Sequence, residues 1–263
     1  MTIATFDQLI AATKQVLAWS RPTKVISSVA CWHFISDIAG NPGVPAAIAV
    51  GNTANGLVPT DASSGFIPIN FSSGTGYLAG VQFGSSVACR LAIYDRLFHA
   101  GAYNFNAAVT LTAQPSYASR VPGGNYAGLQ LWYEQVTLGN NTQSIAVTYT
   151  NEAGATGHTT GTVALGAALE VGASFQLPLA AGDLGVQKIE SVTGSGAIAG
   201  TFNVFVARPL WCGRVPYATG GDWHGPDKTG LPQVYADSAL AVMVRPDDVA
   251  TGAFEILATV ASA

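Results

Sequence analysis

The sequence predicts a mainly β fold: an antiparallel β-sandwich of jelly-roll type, with an N-terminal helical arm and a long loop rich in Gly, Pro and Ser. Two observations carry this prediction. The first is the stretch from Gly128 to Gly166, where Leu129, Leu131 and Tyr133 alternate with Gln130, Trp132 and Glu134, and Ile145, Val147 and Tyr149 alternate with Ala146, Thr148 and Thr150. Period-2 alternation marks half-buried strands, and Gly139-Asn140-Asn141 between them predicts a hairpin. The second is a succession of short apolar runs punctuated by turn residues, with no helical pattern between them to make parallel crossovers.

Taken in order, the chain opens with a helix. Thr5 and Gln8 form a capping box, Asp7 suits the positive end of the dipole, and Phe6, Leu9, Ile10, Val16 and Leu17 keep one face apolar as far as Trp19. Arg21-Pro22 ends it. Val25 to Ile35 is apolar on both faces, and Gly40-Asn41-Pro42-Gly43 breaks the chain. The loop from Asn41 to Gly76 carries short strands at Ala46–Val50 and Phe66–Phe71. Leu78–Phe83 and Val87–Tyr94 read as a pair around Gly84-Ser85-Ser86, and Asp95–Gly101 as irregular. Further strands are predicted at Ala108–Thr112, Thr162–Leu169, Ser174–Leu179, Val186–Val192, Thr201–Ala207, Ala239–Arg245 and Phe254–Val260, with a long excursion over Arg208–Gln233. The organisation is an arm over 1–22, an extended region over 23–76 and a sandwich over 77–263.

Composition sets the function classes. Charged residues make up 10% of the 263 residues, against about 25% in an ordinary soluble domain, while hydrophobic residues make up 49%. So little charge on so apolar a chain predicts that other subunits cover much of its surface. No apolar run reaches the ~18 residues of a spanning helix, so no membrane partner is expected. Eleven basic residues, none clustered, and a net charge of −4 argue against nucleic acid. Met1 to Trp19 is interrupted by Asp7, Gln8, Lys14 and Gln15 and has no signal-peptide pattern, which predicts assembly in a cytoplasm. Cys31, Cys89 and Cys212 lie in or beside apolar runs and are expected as buried reduced thiols.

The candidate chemistry is thin, so no catalytic, cofactor or metal residue is assigned and no enzyme activity is expected. Asp222-Trp223-His224 with Asp227 offers metal-ligand types in a Gly-rich loop, but further ligands are not patterned nearby. Cys31-Trp32-His33 places a thiol and an imidazole on one strand face, yet in an apolar setting that disfavours a thiolate. His99 and His158 are solitary, Glu134 and Glu170 are too isolated for a glycosidase pair, and Gly194-Ser195-Gly196 with Gly200 lacks the following helix of a phosphate loop. Trp132, Tyr133, Tyr149, Trp211, Tyr217, Trp223 and Tyr235 read mainly as core and interface, with a glycan-binding groove as the alternative.

Several blocks carry a resemblance: Phe6 to Ala12 with Trp32-His33, RLAIYDRLFHAGAY (Arg90 to Tyr103), QPSYASRVPGGNYAGLQLWYE (Gln114 to Glu134), VTYTNEAGATG (Val147 to Gly157) and KTGLPQVYADSALAVMV (Lys228 to Val244). Together they resemble virion structural proteins of tailed bacteriophages and prophages. The resemblance implies a capsid decoration or cement subunit, with a tail or fibre component that recognises a host glycan as the alternative. It also implies partners of the same kind: copies of the chain itself, expected as a trimer, and the major capsid protein. Assembly would then take place in the bacterial host, with the arm from Thr2 to Trp19 and the loop making the inter-subunit contacts.

Overall fold

The computed structural model describes residues 3–262 except 4, 27–30, 35–37, 45–54, 72–74, 107, 140–142, 166–168 and 195–198. The strands are β1 (Thr13–Arg21), β2 (Trp32–Phe34), β3 (Thr75–Ser85), β4 (Cys89–Asn104), β5 (Ala108–Thr110), β6 (Gln130–Thr137), β7 (Gln143–Asn151) and β8 (His158–Thr159). They continue as β9 (Val163–Leu165), β10 (Ala173–Gln176), β11 (Val186–Gly194), β12 (Thr201–Val215), β13 (Gly220–His224), β14 (Gln233–Tyr235), β15 (Leu240–Pro246) and β16 (Phe254–Ser262). Two short helices, α1 (Phe6–Ala11) and α2 (Pro226–Thr229), accompany them.

The fold is mainly β and antiparallel with sheets packed face to face, as predicted, and its strands fall into three sheets, one of them closed. A closed barrel in the order β10-β2-β15-β4-β12-β6 sits between two five-stranded sheets, one ordered β1-β16-β3-β13 with β14 on β3, the other β5-β11-β7-β8 with β9 on β7. Two long strands hold the layers together. β4 and β12 pair from Cys89↔Val215 to Asn104↔Thr201. One half of this ladder, with Leu91, Ile93, Leu210 and Trp211, packs under the β1-β16-β3-β13 sheet beside Leu17, Val81, Phe83 and Ile256. The other half, with Leu97, Tyr103, Phe202 and Val204, packs under the second sheet beside Ile145, Val147, Tyr149 and Val192. Register shifts at Val206/Ala207 and Pro209/Trp211 lie where the ladder passes from one core to the other, as a bulge re-aims the side chains that follow it.

Several local expectations are corrected. The Thr5–Gln8 capping box is present, but the helix ends at Ala11 and the chain then becomes β1. Pairing with the C-terminal strand, from Thr13↔Ser262 to Arg21↔Phe254, buries Leu17 and Trp19 at alternate positions and overrides the helical pattern. Leu9 packs with Ile3, Ala79 and Ala261, so the helix sits on its own fold. β6 and β7 do not form the predicted hairpin: β6 pairs with β10 and β12, β7 with β11, β8 and β9. Their apolar faces instead meet across the core, Leu131 and Tyr133 in the same cluster as Ile145, Val147 and Tyr149. β3 and β4 likewise separate into different layers, and Asp95–Gly101 is continuous strand. Part of the predicted excursion over Arg208–Gln233 is the end of β12 and all of β13. Phe66–Phe71 is not a strand, though Phe66 and Ile69 are buried, and Ala46–Val50 lies outside the described residues.

Candidate functional site

The densest polar chemistry lies where β4 and β12 change cores. Asp95, Arg96, His99, Arg120, Glu134, Asn203, Arg208 and Ser238 are all buried there. Alternation along β4 turns Asp95 and Arg96 to opposite sides, and each side gathers its own partners. The Asp95 carboxylate accepts from Ser238 Oγ at 2.8 Å, from the Ala239 amide at 3.1 Å and from Arg208 Nη2 at 3.4 Å, with Arg120 Nη2 at 3.8 Å. Arg120 is wholly buried and donates to three carbonyls, Pro59 at 2.7 Å, Asp237 at 2.6 Å and Arg96 at 2.7 Å. These bonds tie the long loop, the segment around Arg120 and the chain before β15 to one point.

On the other side, Arg96 Nη2 donates to Glu134 Oε2 at 3.3 Å, and Asn203 Nδ2 donates to the same oxygen at 3.1 Å. The guanidinium lies over two rings, 4.2 Å from the Phe34 centroid and 4.1 Å from the Phe205 centroid, and its Nη1 is 3.2 Å from His99 Nδ1. Burial lowers the Arg96 pKa, and the neighbouring Glu134 opposes that shift. A buried ion pair costs desolvation, so this cluster fixes which segments meet there rather than adding much net stability. It is a locking network, with Arg96 also on the wall of a small cavity of about 30 Å³ beside Trp19, Phe34, Phe66 and Phe254. Glu134, isolated in the sequence, is one of its members.

Asp222 and His224 do come together. Trp211 Nε1 donates to His224 Nδ1 at 2.9 Å, which leaves the proton on Nε2, facing Asp222 Oδ2 at 3.5 Å. Lys228 Nζ is 3.7 Å from the same oxygen. The Asp222 carboxyl is held below its usual value first by the Trp223 amide, then by Lys228 and His224. With both ring nitrogens engaged, His224 packs edge-on against Phe83 and Trp211 as a structural residue. Asp227 sits on α2 rather than on the strand that carries Asp222 and His224. Among the described residues no group of three or more His, Cys, Asp or Glu side chains is placed to hold a metal ion.

His33 is buried with Nε2 3.6 Å from Glu170 Oε1, which accounts for two of the sequence candidates at once. Cys31 beside it is half-buried, and burial and Glu170 both push its thiol up, away from a reactive thiolate. Cys89 is buried as expected, whereas Cys212 is exposed on β12 because its alternate position faces out from the ladder. His158 Nδ1 lies 2.8 Å from Asp183 Oδ2, which also accepts from Tyr149 Oη at 2.6 Å, and Asn151 Nδ2 donates to Asp183 Oδ1 at 3.0 Å. These contacts, Asn151 first, hold the Asp183 carboxyl below its usual value. Asp183 was not singled out in the sequence, where nothing but a Gly-Asp turn marks it. Gly194 ends β11, and Ser195 and Gly196 lie outside the described residues.

Of the aromatic set, Trp132, Tyr133, Tyr149 and Trp211 are buried and Tyr235 is half-buried, while Tyr217 and Trp223 are exposed. Two solvent-facing patches are notable for uncharged side chains, though Lys188 and Glu190 lie beside Thr150 at the edge of the first. On the β5-β11-β7-β8 sheet, Thr110, Ser191, Thr148 and Thr159 form one row across four strands, and Ala108, Thr193 and Ala146 form the next. Near the N-terminus, Phe6, Ile10 and Val16 are exposed apolar side chains.

No helix among the described residues is long and apolar enough to cross a membrane. No protein-family model and no curated protein matches the chain. Among solved structures, the VP2 subviral particle of infectious bursal disease virus aligns at 11% identity over 95% of this chain and 79% of that chain, with a TM-score of 0.22. The structure of the Gx strain of the same virus aligns at 10% identity over 94% and 80%, with a TM-score of 0.16. At such scores the overlap assigns neither fold nor role to this chain, whose description rests on its own geometry.

Proposed function

We propose that the protein is a structural subunit of a virion, assembled in a bacterial host with copies of itself and with the major capsid protein, as a decoration or cement subunit on a tailed-phage head. The observation that carries the reading is the outer face of the β5-β11-β7-β8 sheet. Its central rows, Thr110-Ser191-Thr148-Thr159 and Ala108-Thr193-Ala146, hold no charge and present short side chains to solvent. These two rows desolvate cheaply, because their hydroxyls can bond across an interface and the charges on the same face, Lys188 and Glu190, stand beside Thr150 outside them. The low charge content of the whole chain and the resemblance of its sequence blocks to phage virion proteins support the same reading. A subunit that binds only the expanded shell stabilises that shell by mass action, with no chemistry required.

Sedimentation of the purified chain tests this directly. The wild type is expected to associate, and a Thr148→Lys/Thr193→Lys variant to remain monomeric with an unchanged melting temperature. A wild type that stays monomeric at high concentration would overturn the reading. The exposed Trp223 favours a second one, a tail or fibre component that recognises a host glycan. Copy number in particles separates the two, since decoration needs many copies and a tail few.

A further inference from the structure

Basic side chains that lie far apart in the sequence are brought side by side by the strand registers. In the half of the ladder that packs under the β1-β16-β3-β13 sheet, Arg90 of β4 is paired with Arg245 of β15 on one side and with Arg214 of β12 on the other. Residues directly opposite on neighbouring strands share a face, so the three side chains form one row, about 10 Å across at the ordinary strand spacing. The row is on the face turned away from the core. Leu91, Ile93, Val242 and Val244 at the intervening positions are buried, while Arg90 and Arg214 are exposed and Arg245 is half-buried. The next row holds Met243, Ala92 and the exposed Cys212.

Two members of the row differ from every other arginine of the chain. Arg21 donates to the Pro42 carbonyl, Arg96 meets Glu134, Arg120 and Arg208 meet Asp95, and Arg214 Nη2 lies 3.5 Å from Asp247 Oδ2. The Arg90 and Arg245 side chains make no hydrogen bond and no ion pair with any described residue. The acids nearby are turned elsewhere. Asp247 is held by Arg214, Asp248 Oδ1 accepts from the Val249 amide at 2.6 Å, and Glu170, whose charge reaches Cys31 together with that of Arg245, faces His33 at 3.6 Å. Like charges directly opposite one another destabilise a sheet, so the row weakens the chain by itself and nothing in the fold requires it.

We propose that this row is the contact for an acidic segment of another polypeptide, which brings two or more carboxylates in extended conformation to Arg90 and Arg245. A guanidinium takes a carboxylate through two parallel N–H···O bonds, and arginine is enriched in protein interfaces where lysine is depleted. Alternate side chains of an extended segment stand ~7 Å apart on one face, a spacing that two neighbouring arginines can reach. The partner supplies the counter-charge that the fold withholds. Extent selects polypeptide over nucleic acid: a phosphate backbone would run past three bases onto Asp247 and Asp248, on a chain whose net charge is −4. The inference takes from the virion reading only that a second kind of polypeptide lies against this chain. Its row is on the ladder and not on the Thr/Ser/Ala sheet, so either can fail alone.

The test uses the full chain and the peptide Glu-Thr-Glu-Thr-Glu, amidated at its C-terminus and carrying a rhodamine at its N-terminus, followed by fluorescence anisotropy. Wild type should bind it and ignore Gln-Thr-Gln-Thr-Gln, and the binding should weaken as salt is raised, since the contact is ionic and exposed. Arg90→Gln/Arg245→Gln should weaken it by about tenfold or more. The same variant should melt no lower than wild type, because it removes a like-charge pair, whereas a merely structural role would lower the melting temperature. Arg90→Lys/Arg245→Lys should bind at an intermediate level, with the charge kept and the fork lost. Silence from the wild type would overturn the inference, as would equal binding by Arg90→Gln/Arg245→Gln. Tighter binding of a thymidine tetranucleotide of the same charge would overturn it in favour of nucleic acid. A change in sedimentation caused by Arg90→Gln/Arg245→Gln would also overturn it, by identifying the row as a contact between copies.

Discussion

Arg96 and Glu134 meet at 3.3 Å inside the barrel, one on β4 and the other on β6, with the guanidinium held between the Phe34 and Phe205 rings. Removing one partner leaves an uncompensated charge in a dry site, which costs about 3–5 kcal/mol. Glu134→Ala is therefore expected to lower the unfolding free energy obtained from denaturant melts by that amount. The double variant Arg96→Met/Glu134→Leu should recover much of the loss, because an apolar replacement needs no desolvation. If the two single losses simply add in the double variant, the pair is not coupled.

Gly56 and Gly123 both have left-handed backbones, with φ of 67° and 62°, but their surroundings differ. A Cβ on Gly56 would stand 2.3 Å from Phe98 Cζ and 2.8 Å from the His99 carbonyl oxygen, while one on Gly123 would meet nothing within 4 Å. Alanine at Gly123 should cost about 1 kcal/mol from the backbone alone. At Gly56 it should cost more than about 2 kcal/mol, since the loop must also lift off Phe98. Thermal melts of the two variants measure the difference.

Asp183 makes the fold sensitive to acid. Its folded-state pKa lies below the ordinary carboxylate value because Asn151, Tyr149 and His158 favour the ionised form. A depressed carboxylate contributes stability that is present above its unfolded pKa of about 3.9 and is lost as pH falls through the folded value. Wild type should therefore exceed Asp183→Asn in melting temperature at neutral pH, and the gap should close below about pH 4. Tyr149, pushed up to about 12 by burial and by its bond to Asp183, should titrate at lower pH in the same variant.

The three thiols should differ in access and share low reactivity. Burial raises each above its ordinary pKa, so the thiolate is scarce near neutral pH. Mass spectrometry after timed alkylation should find Cys212 labelled first and Cys89 only on unfolding. Early labelling of Cys89 would show that β4 frays at its start.

What could be read from the sequence follows the range of the underlying interactions. The strands at 130–137 and 143–151 were visible because period-2 alternation is a local property, and so was the Thr5–Gln8 capping box. Their partners were not visible: two amphipathic strands can pair edge to edge or stack face to face with the same alternation, and β6 and β7 stack. The pairing of β1 with β16 joins residues at the two ends of the chain, and no pattern within Phe6–Trp19 announces it. The same holds for the polar centre. Asp95, Arg120 and Arg208 are far apart in sequence, so Glu134 looked isolated until the fold brought Arg96 against it.

The ladder of β4 and β12 belongs to both hydrophobic cores at once. Each outer sheet has strands of its own, but neither core is complete without this shared ladder. A pull applied to one outer layer is borne by backbone hydrogen bonds that the opposite layer also needs, so the protein resists force as a single body and gives way all together.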